Sequence, residues 1–190
     1  MKAIVTGNPG SDLALASLAQ KVASRIPTQW KIGHSSVRIE ATACPLEEHP
    51  PLEKYRPELE SHAPQTPHTI APVFEKQPIV YLHHPRYPFI SPEERLALQY
   101  ELLSTIGLLF WNKMPELRKA VQEKARYVYD ILPSQKGIRR IFFTSFADYF
   151  RPVQIDPAGA IIEREKDEKG LALVAYANAW MSQNYSAHAA

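Results

Sequence analysis

A chain of 190 residues with 45% hydrophobic and 22% charged side chains is long enough to bury one full core and has the composition of an ordinary globular protein. A net charge of +2 gives no overall basic signature of a nucleic-acid partner. The single cysteine, Cys44, excludes an intrachain disulfide and a cysteine-based zinc site, and fits a reducing compartment.

The N-terminal residues carry one Lys and a short apolar run broken by Gly and Pro, too weak for a signal peptide. The longest apolar stretch, residues 106–111, is far short of the roughly 20 residues that cross a bilayer. A cytoplasmic protein with no membrane contact is expected. Thr6-Gly7-Asn8-Pro9-Gly10-Ser11 has the small residues of a phosphate loop but neither its Lys nor its spacing, and reads as a turn into the first helix.

Leu13, Leu15, Leu18, Ala19, Val22 and Ile26 follow a helical period, so a helix is expected over 12–26, ended by Pro27. Residues 35–43 alternate, with Val37, Ile39, Ala41 and Ala43 on one side, as in a half-buried strand. Residues 45–67, rich in Pro, Glu and His, have no period and read as a long loop. Residues 70–74 and 79–82 flank Glu75-Lys76-Gln77 and suggest a hairpin. Pro72 and Pro78 restrict it to sheet edges or strand ends.

Ser91-Pro92-Glu93-Glu94 is a helix start: a capping hydroxyl, Pro in the first turn, then acids at the positive end of the helix dipole. The helix is expected to run to about residue 112. Its apolar residues lie nearly all round it, as in a helix buried at the centre of a domain. A more polar helix is expected over 114–132, another after the Ser134 cap through 150, and a last one over 170–182. Turns are expected at Arg151-Pro152 and at residues 156–159. No internal repeat appears, so residues 1–183 read as one domain with a disordered tail at 184–190.

Two segments carry a resemblance. The first is Ile79-Val80-Tyr81-Leu82, a turn, and then Tyr100-Glu101-Leu102-Leu103-Ser104-Thr105-Ile106-Gly107. It resembles the edge strand and H-E-x-x-H-x-x-G helix of zincin metallopeptidases. There two His at i and i+4 project from one helical face onto one zinc, and the Glu between them is general base toward the metal-bound water. The second segment is Phe142-Phe143-Thr144-Ser145-Phe146-Ala147-Asp148-Tyr149-Phe150. It resembles the following helix in zincins related to the anthrax lethal-factor catalytic domain, where a Glu supplies the third ligand.

The resemblance covers roughly residues 70–150. It implies an α+β fold with a small mixed sheet packed on a central buried helix and further C-terminal helices. It places the three ligand positions at Tyr100, Ser104 and Thr144, the general base at Glu101, and a peptide-binding groove along an edge strand at Ile79, Val80, Tyr81 and Leu82. All three ligand positions depart from the pattern. Neutral hydroxyls are poor zinc ligands, and without the metal Glu101 has no activated water to deprotonate. The expectation is a non-catalytic, metallopeptidase-like domain with no metal or cofactor that works through a protein or peptide partner. Glu101 is then a vestigial base, expected to pair with an Arg such as Arg95, Arg139 or Arg140.

Two alternatives stand beside this reading. One is a hydrolase: a metal-dependent enzyme or peptidase with non-standard ligands, or an unrelated enzyme in which Glu101 is the base. The other is a nucleic-acid-associated factor using the basic helices over 113–151, where nine Lys and Arg face four Asp and Glu, nine minus four, or +5. A solvated helix face, with Glu116 and Glu123 pairing Lys119 and Lys124, accounts for the same bias. His62, His68, His83 and His84, with His34 or His49, are candidate metal ligands by type. Their spacing matches no known site, and adjacent His83 and His84 cannot easily share one ion if they extend a strand. Cys44 has no neighbouring basic cluster to activate it and reads as a packed or incidental thiol.

Overall fold

The structure, a computed structural model, describes residues 1–7, 11–32, 35–42, 45–48, 50–53, 68–72, 76–151 and 167–185. The alternation in the second strand works as its pattern predicts. In β2 (Val37–Ala41), Val37, Ile39 and Ala41 are buried, while Arg38 and Glu40 face the other way and pair at 3.2 Å. β1 (Ala3–Gly7) runs parallel to β2, with Ala3 opposite Val37 and Gly7 opposite Ala41. Parallel neighbours need a crossover connection, and α1 (Ser11–Ala23) supplies it. β1 is an addition to the sequence reading, which found at the N-terminus only a run too weak for a signal peptide and a turn at residues 6–11.

The sheet order is β1, β2, β4 (Ile79–Leu82), β3 (Thr69–Ile70). β4 is parallel to β2 and antiparallel to β3, with Thr69 opposite Leu82 and Ile70 opposite Tyr81. The expected edge position of Ile79, Val80, Tyr81 and Leu82 is therefore corrected: β4 is an interior strand. It is also buried on both faces. Val80 and Leu82 enter the main core, and Ile79 and Tyr81 join Leu46, Leu52 and Ile70 in a smaller cluster on the opposite side. This explains its unbroken apolar sequence, since a strand covered on both faces has no polar face to alternate with. Of the hairpin expected over 70–74 and 79–82, the described residues show the two pairs of β3, and residues 73–75 lie outside them.

Short helical turns occupy part of the expected 45–67 loop: a 3₁₀ turn at Leu46–Glu48 and α2 (Pro50–Glu53). Next comes the central helix, α3 (Pro92–Lys113). Its start is a full capping box: Ser91 Oγ accepts from the Glu94 amide at 3.1 Å, and the Glu94 carboxylate accepts from the Ser91 amide at 2.8 Å. Every residue from Leu102 to Trp111 is buried. α4 (Pro115–Val128), α5 (Gln135–Phe150, capped by Ser134) and α6 (Glu168–Tyr185) follow. Asn184 and Tyr185 belong to α6, so the expected tail is helical at its start. Of the turns expected at Arg151-Pro152 and at residues 156–159, only Arg151, a bend after α5, is among the described residues.

An aromatic cluster binds these layers. Trp30 meets Phe110, Phe146 and Phe150 edge-on at centroid distances of 5.1, 5.1 and 5.8 Å. Trp30 is wholly buried, and its indole N–H donates to Asn178 Oδ1 at 2.7 Å, tying α6 to the segment after α1. One connected core reaches from Met1 to Met181. The architecture is thus α+β, with a small mixed sheet on one side of a buried helix and further helices on the other.

Candidate functional site

Two faces of α3 present the residues singled out in the sequence. Tyr100, Ser104 and Gly107 recur at helical spacing on the face toward α5. The Tyr100 phenol donates to the Thr144 main-chain carbonyl at 3.4 Å. Ser104 is buried, and its hydroxyl has no hydrogen-bond partner among the described residues. At Gly107 the two helices come so close that a Cβ would stand 2.8 Å from Phe146 Cγ. Thr144 Oγ1 turns back to its own helix, donating to the carbonyl of Arg140 or Ile141 at 2.9 and 3.1 Å. The helix pair so brings Tyr100 and Thr144 into contact and sets Ser104 on the same face. The groups it assembles are hydroxyls and a main-chain carbonyl.

Glu101 turns to the other side. Its carboxylate meets His68 Nδ1 at 3.2 Å, with both side chains about a quarter exposed or less. The expected arginine partner is corrected. Arg95 lies over the Tyr87 ring instead, 6.0 Å from its centroid. Histidine takes the role because β3 ends beside α3: one turn beyond Glu101, Thr105 Oγ1 meets Thr69 Oγ1 at 2.7 Å in the buried interior. The neighbour of Thr69 is His68.

His68 in turn stacks on His84, ring centroids 4.4 Å apart and planes 19° from parallel. The two imidazoles border a pocket of about 180 Å³, whose other walls include Glu94, Ala97, Leu98 and Glu101 from α3 and Arg86 from the turn after β4. Arg86 and Glu94, both on its walls, form an ion pair. The pKa of His84 is lowered, first by burial and then by the nearby His68, while Glu94 acts in the opposite direction. His83 goes elsewhere: it is buried, and its Nδ1 meets the Thr42 carbonyl at 2.9 Å. The adjacent histidines diverge, although both lie beyond the end of β4 at Leu82. Among the described residues, no three His, Cys, Asp or Glu side chains are placed to hold a metal ion. His34, His49, His62 and Cys44 lie outside the described residues.

No family model, curated protein or solved structure matches this chain.

The groove expected along Ile79, Val80, Tyr81 and Leu82 is closed. The side of β4 away from β2 is occupied by β3 at Tyr81 and Leu82, and all four residues are buried. β3 itself is no open template, because Thr69 has no exposed surface and Ile70 is 8% exposed. Among the described residues, an accessible concavity lies beside Glu101. Sequence reasoning had its parts, Glu101, His68 and His84, but grouped His68 with other histidines rather than with the glutamate. The signal for the pairing is tertiary, since it depends on β3 lying alongside α3. In the basic region, Asp148 pairs with Arg151 at 3.6 Å and Asp130 with Lys169 at 3.4 Å, while Lys124 lies over the Tyr176 ring, 5.6 Å from its centroid. None of the described helices is long and apolar enough to cross a membrane.

Proposed function

We propose that this chain is a non-catalytic, zincin-like domain that acts by binding a protein partner. The observation that carries the reading is the meeting of Tyr100 and Thr144 on the α3–α5 contact, with Ser104 on the same face. These are the three positions that the zincin resemblance assigns to zinc, contributed by two helices some forty residues apart in sequence. Their convergence is what a retired metal site requires, and their chemistry is what an active one forbids. Neutral hydroxyls do not replace imidazole and carboxylate around Zn²⁺. Glu101, the general base of the pattern, is engaged by His68, and hydroxyls at the ligand positions would leave it no zinc-activated water to deprotonate. With strand addition at β4 closed, the pocket beside Glu101 is a surface, among the described residues, that suits a partner's side chain.

Restoring the ligands tests the ancestry. The variant Tyr100→His/Ser104→His/Thr144→Glu is expected to take up one equivalent of zinc, measured by elemental analysis after dialysis, while each single variant takes up none. A folded triple variant that binds no zinc would remove the resemblance. Zinc bound equally by the Thr144→Glu protein alone would show that the three positions are not one site.

A further inference from the structure

We propose that the turn between α4 and α5 rests on an anionic lipid surface, with Tyr127, Ile131 and Leu132 entering the headgroup layer and cations on the two helix ends meeting the lipid charges. Among the described residues, this turn gathers three exposed large hydrophobic side chains within six positions. Tyr127 is 86% exposed, Ile131 88% and Leu132 48%. Apolar groups crowded together in water mark a contact surface, whereas apolar groups scattered singly do not. Tyr127 ends the last turn of α4, and Ile131 and Leu132 stand in the link before the Ser134 cap of α5.

The charges around the turn have the sign an anionic surface requires. Arg126 adjoins Tyr127 in the last turn of α4, while Lys136 and Arg140 lie one helical turn apart at the start of α5. All three are exposed, and among the described residues none of them has a carboxylate partner. The carboxylate within the turn, Asp130, is offset by Lys169 at 3.4 Å. Glu123, a turn earlier on α4, leaves the exposed group net positive. Each cation near an anionic leaflet strengthens binding about fivefold. Moving an Ile side chain from water into an apolar layer adds about tenfold or more. Either signal alone gives marginal attachment, and the two together give reversible docking.

The exposure of the side chains favours lipid over a macromolecule. Side chains as bare as Tyr127 and Ile131 project from the surface. A fluid headgroup layer opens around such a projection, while a protein partner must offer a cavity shaped to it. Nucleic acid would use the cations and leave Ile131 and Leu132 in water. Tyrosine, with an apolar ring and a polar tip, suits the lipid–water boundary. That none of the described helices can cross a bilayer does not bear on a protein that lies on one. The docking surface is separate from the zinc positions and from the pocket beside Glu101.

The test is co-sedimentation of the whole chain with vesicles of phosphatidylcholine alone, or with about one-third phosphatidylserine, the bound fraction being read against lipid concentration. Binding to the phosphatidylserine vesicles is expected to be roughly tenfold or more tighter than to neutral ones. It should weaken as NaCl rises from about 0.05 M to about 0.5 M. Ile131→Ser is expected to weaken it about tenfold, and Arg126→Gln/Lys136→Gln about 25-fold. These side chains are exposed, so both variants should keep the wild-type urea midpoint. Phe89→Ser, at a residue 89% exposed on the turn before α3, is expected to bind like the wild type. No binding to phosphatidylserine vesicles at about 1 mM lipid would overturn the assignment. An equal loss in Phe89→Ser would overturn it too. So would an Ile131→Ser protein that binds like the wild type while the charge variant fails, which is the behaviour of a bare basic patch serving nucleic acid or an acidic protein. A zinc-binding result of either sign leaves these outcomes unaffected.

Discussion

Gly107→Ala probes the contact on which the fold and the proposed site both rest. A Cβ at residue 107 would lie 2.8 Å from Phe146 Cγ, 2.9 Å from its Cβ and 3.1 Å from its Cδ1. Carbon pairs pack best at about 3.5–4.0 Å, so each of these contacts is too short by roughly half an ångström or more. Two of the three atoms sit at the base of the Phe146 side chain, where rotation of the ring cannot move them away. Nor has the ring free space, because Phe146 is wholly buried among Trp30, Phe142 and Phe150. The helices must separate, and overpacking of this kind costs about 1–3 kcal/mol. Replacing Gly by Ala within a helix returns about 1 kcal/mol. With Phe146 unable to yield, the upper part of the range applies, and the net loss is about 1–2 kcal/mol. Urea unfolding followed by tryptophan fluorescence reads it. Gly137→Ala is the control, because there a Cβ would meet only Pro133 Cβ at 3.2 Å and Ser134 Oγ at 3.4 Å in the first turn of α5. That variant is expected within about 0.5 kcal/mol of the wild type. If Gly107→Ala were as stable as Gly137→Ala, or more stable than the wild type, α3 and α5 would not touch as described.

Asn178→Ala removes the acceptor of the buried Trp30 indole N–H, and a loss of about 1–3 kcal/mol is expected in the same urea assay, with an altered Trp30 emission. A change below about 0.5 kcal/mol would show that α6 is not anchored there. Ser91→Ala opens the capping box of α3 and should destabilise by about 1 kcal/mol. Glu94 is held below the usual carboxylate pKa, chiefly by the Ser91 amide, so its contribution is present above the ordinary glutamate range and lost as pH falls through and below it. Glu94→Gln should therefore flatten the dependence of stability on pH below about pH 5, and an unchanged slope would contradict the assignment.

The helices were legible because their signals are local. Ser91-Pro92-Glu93-Glu94 marks the start of α3 by hydrogen-bonding chemistry that needs no tertiary partner, and the apolar girdle of residues 102–111 announces burial. The alternation of residues 37–41 fixes one face of β2 in the same way. The sheet order was not legible. A continuous apolar run such as Ile79–Leu82 says that both faces are covered, yet it does not say which strand lies alongside, and the flanking prolines pointed to an edge that β3 in fact occupies. β1 was missed because Ala3–Gly7 is short, with Ile4 half exposed, and its burial comes from α1 and β2 rather than from its own pattern. The partner of Glu101 was out of reach for a related reason. Arginines are the usual counter-ions to expect on neighbouring turns, whereas His68 arrives through strand pairing from 33 residues upstream.

The zinc content of the wild-type chain, purified without chelator and measured together with that of Glu101→Gln, tests the central claim most directly. The account predicts well under a tenth of an equivalent in both proteins, roughly the level of adventitious surface binding by histidines. One tightly held equivalent in the wild type would contradict it and restore the hydrolase alternative.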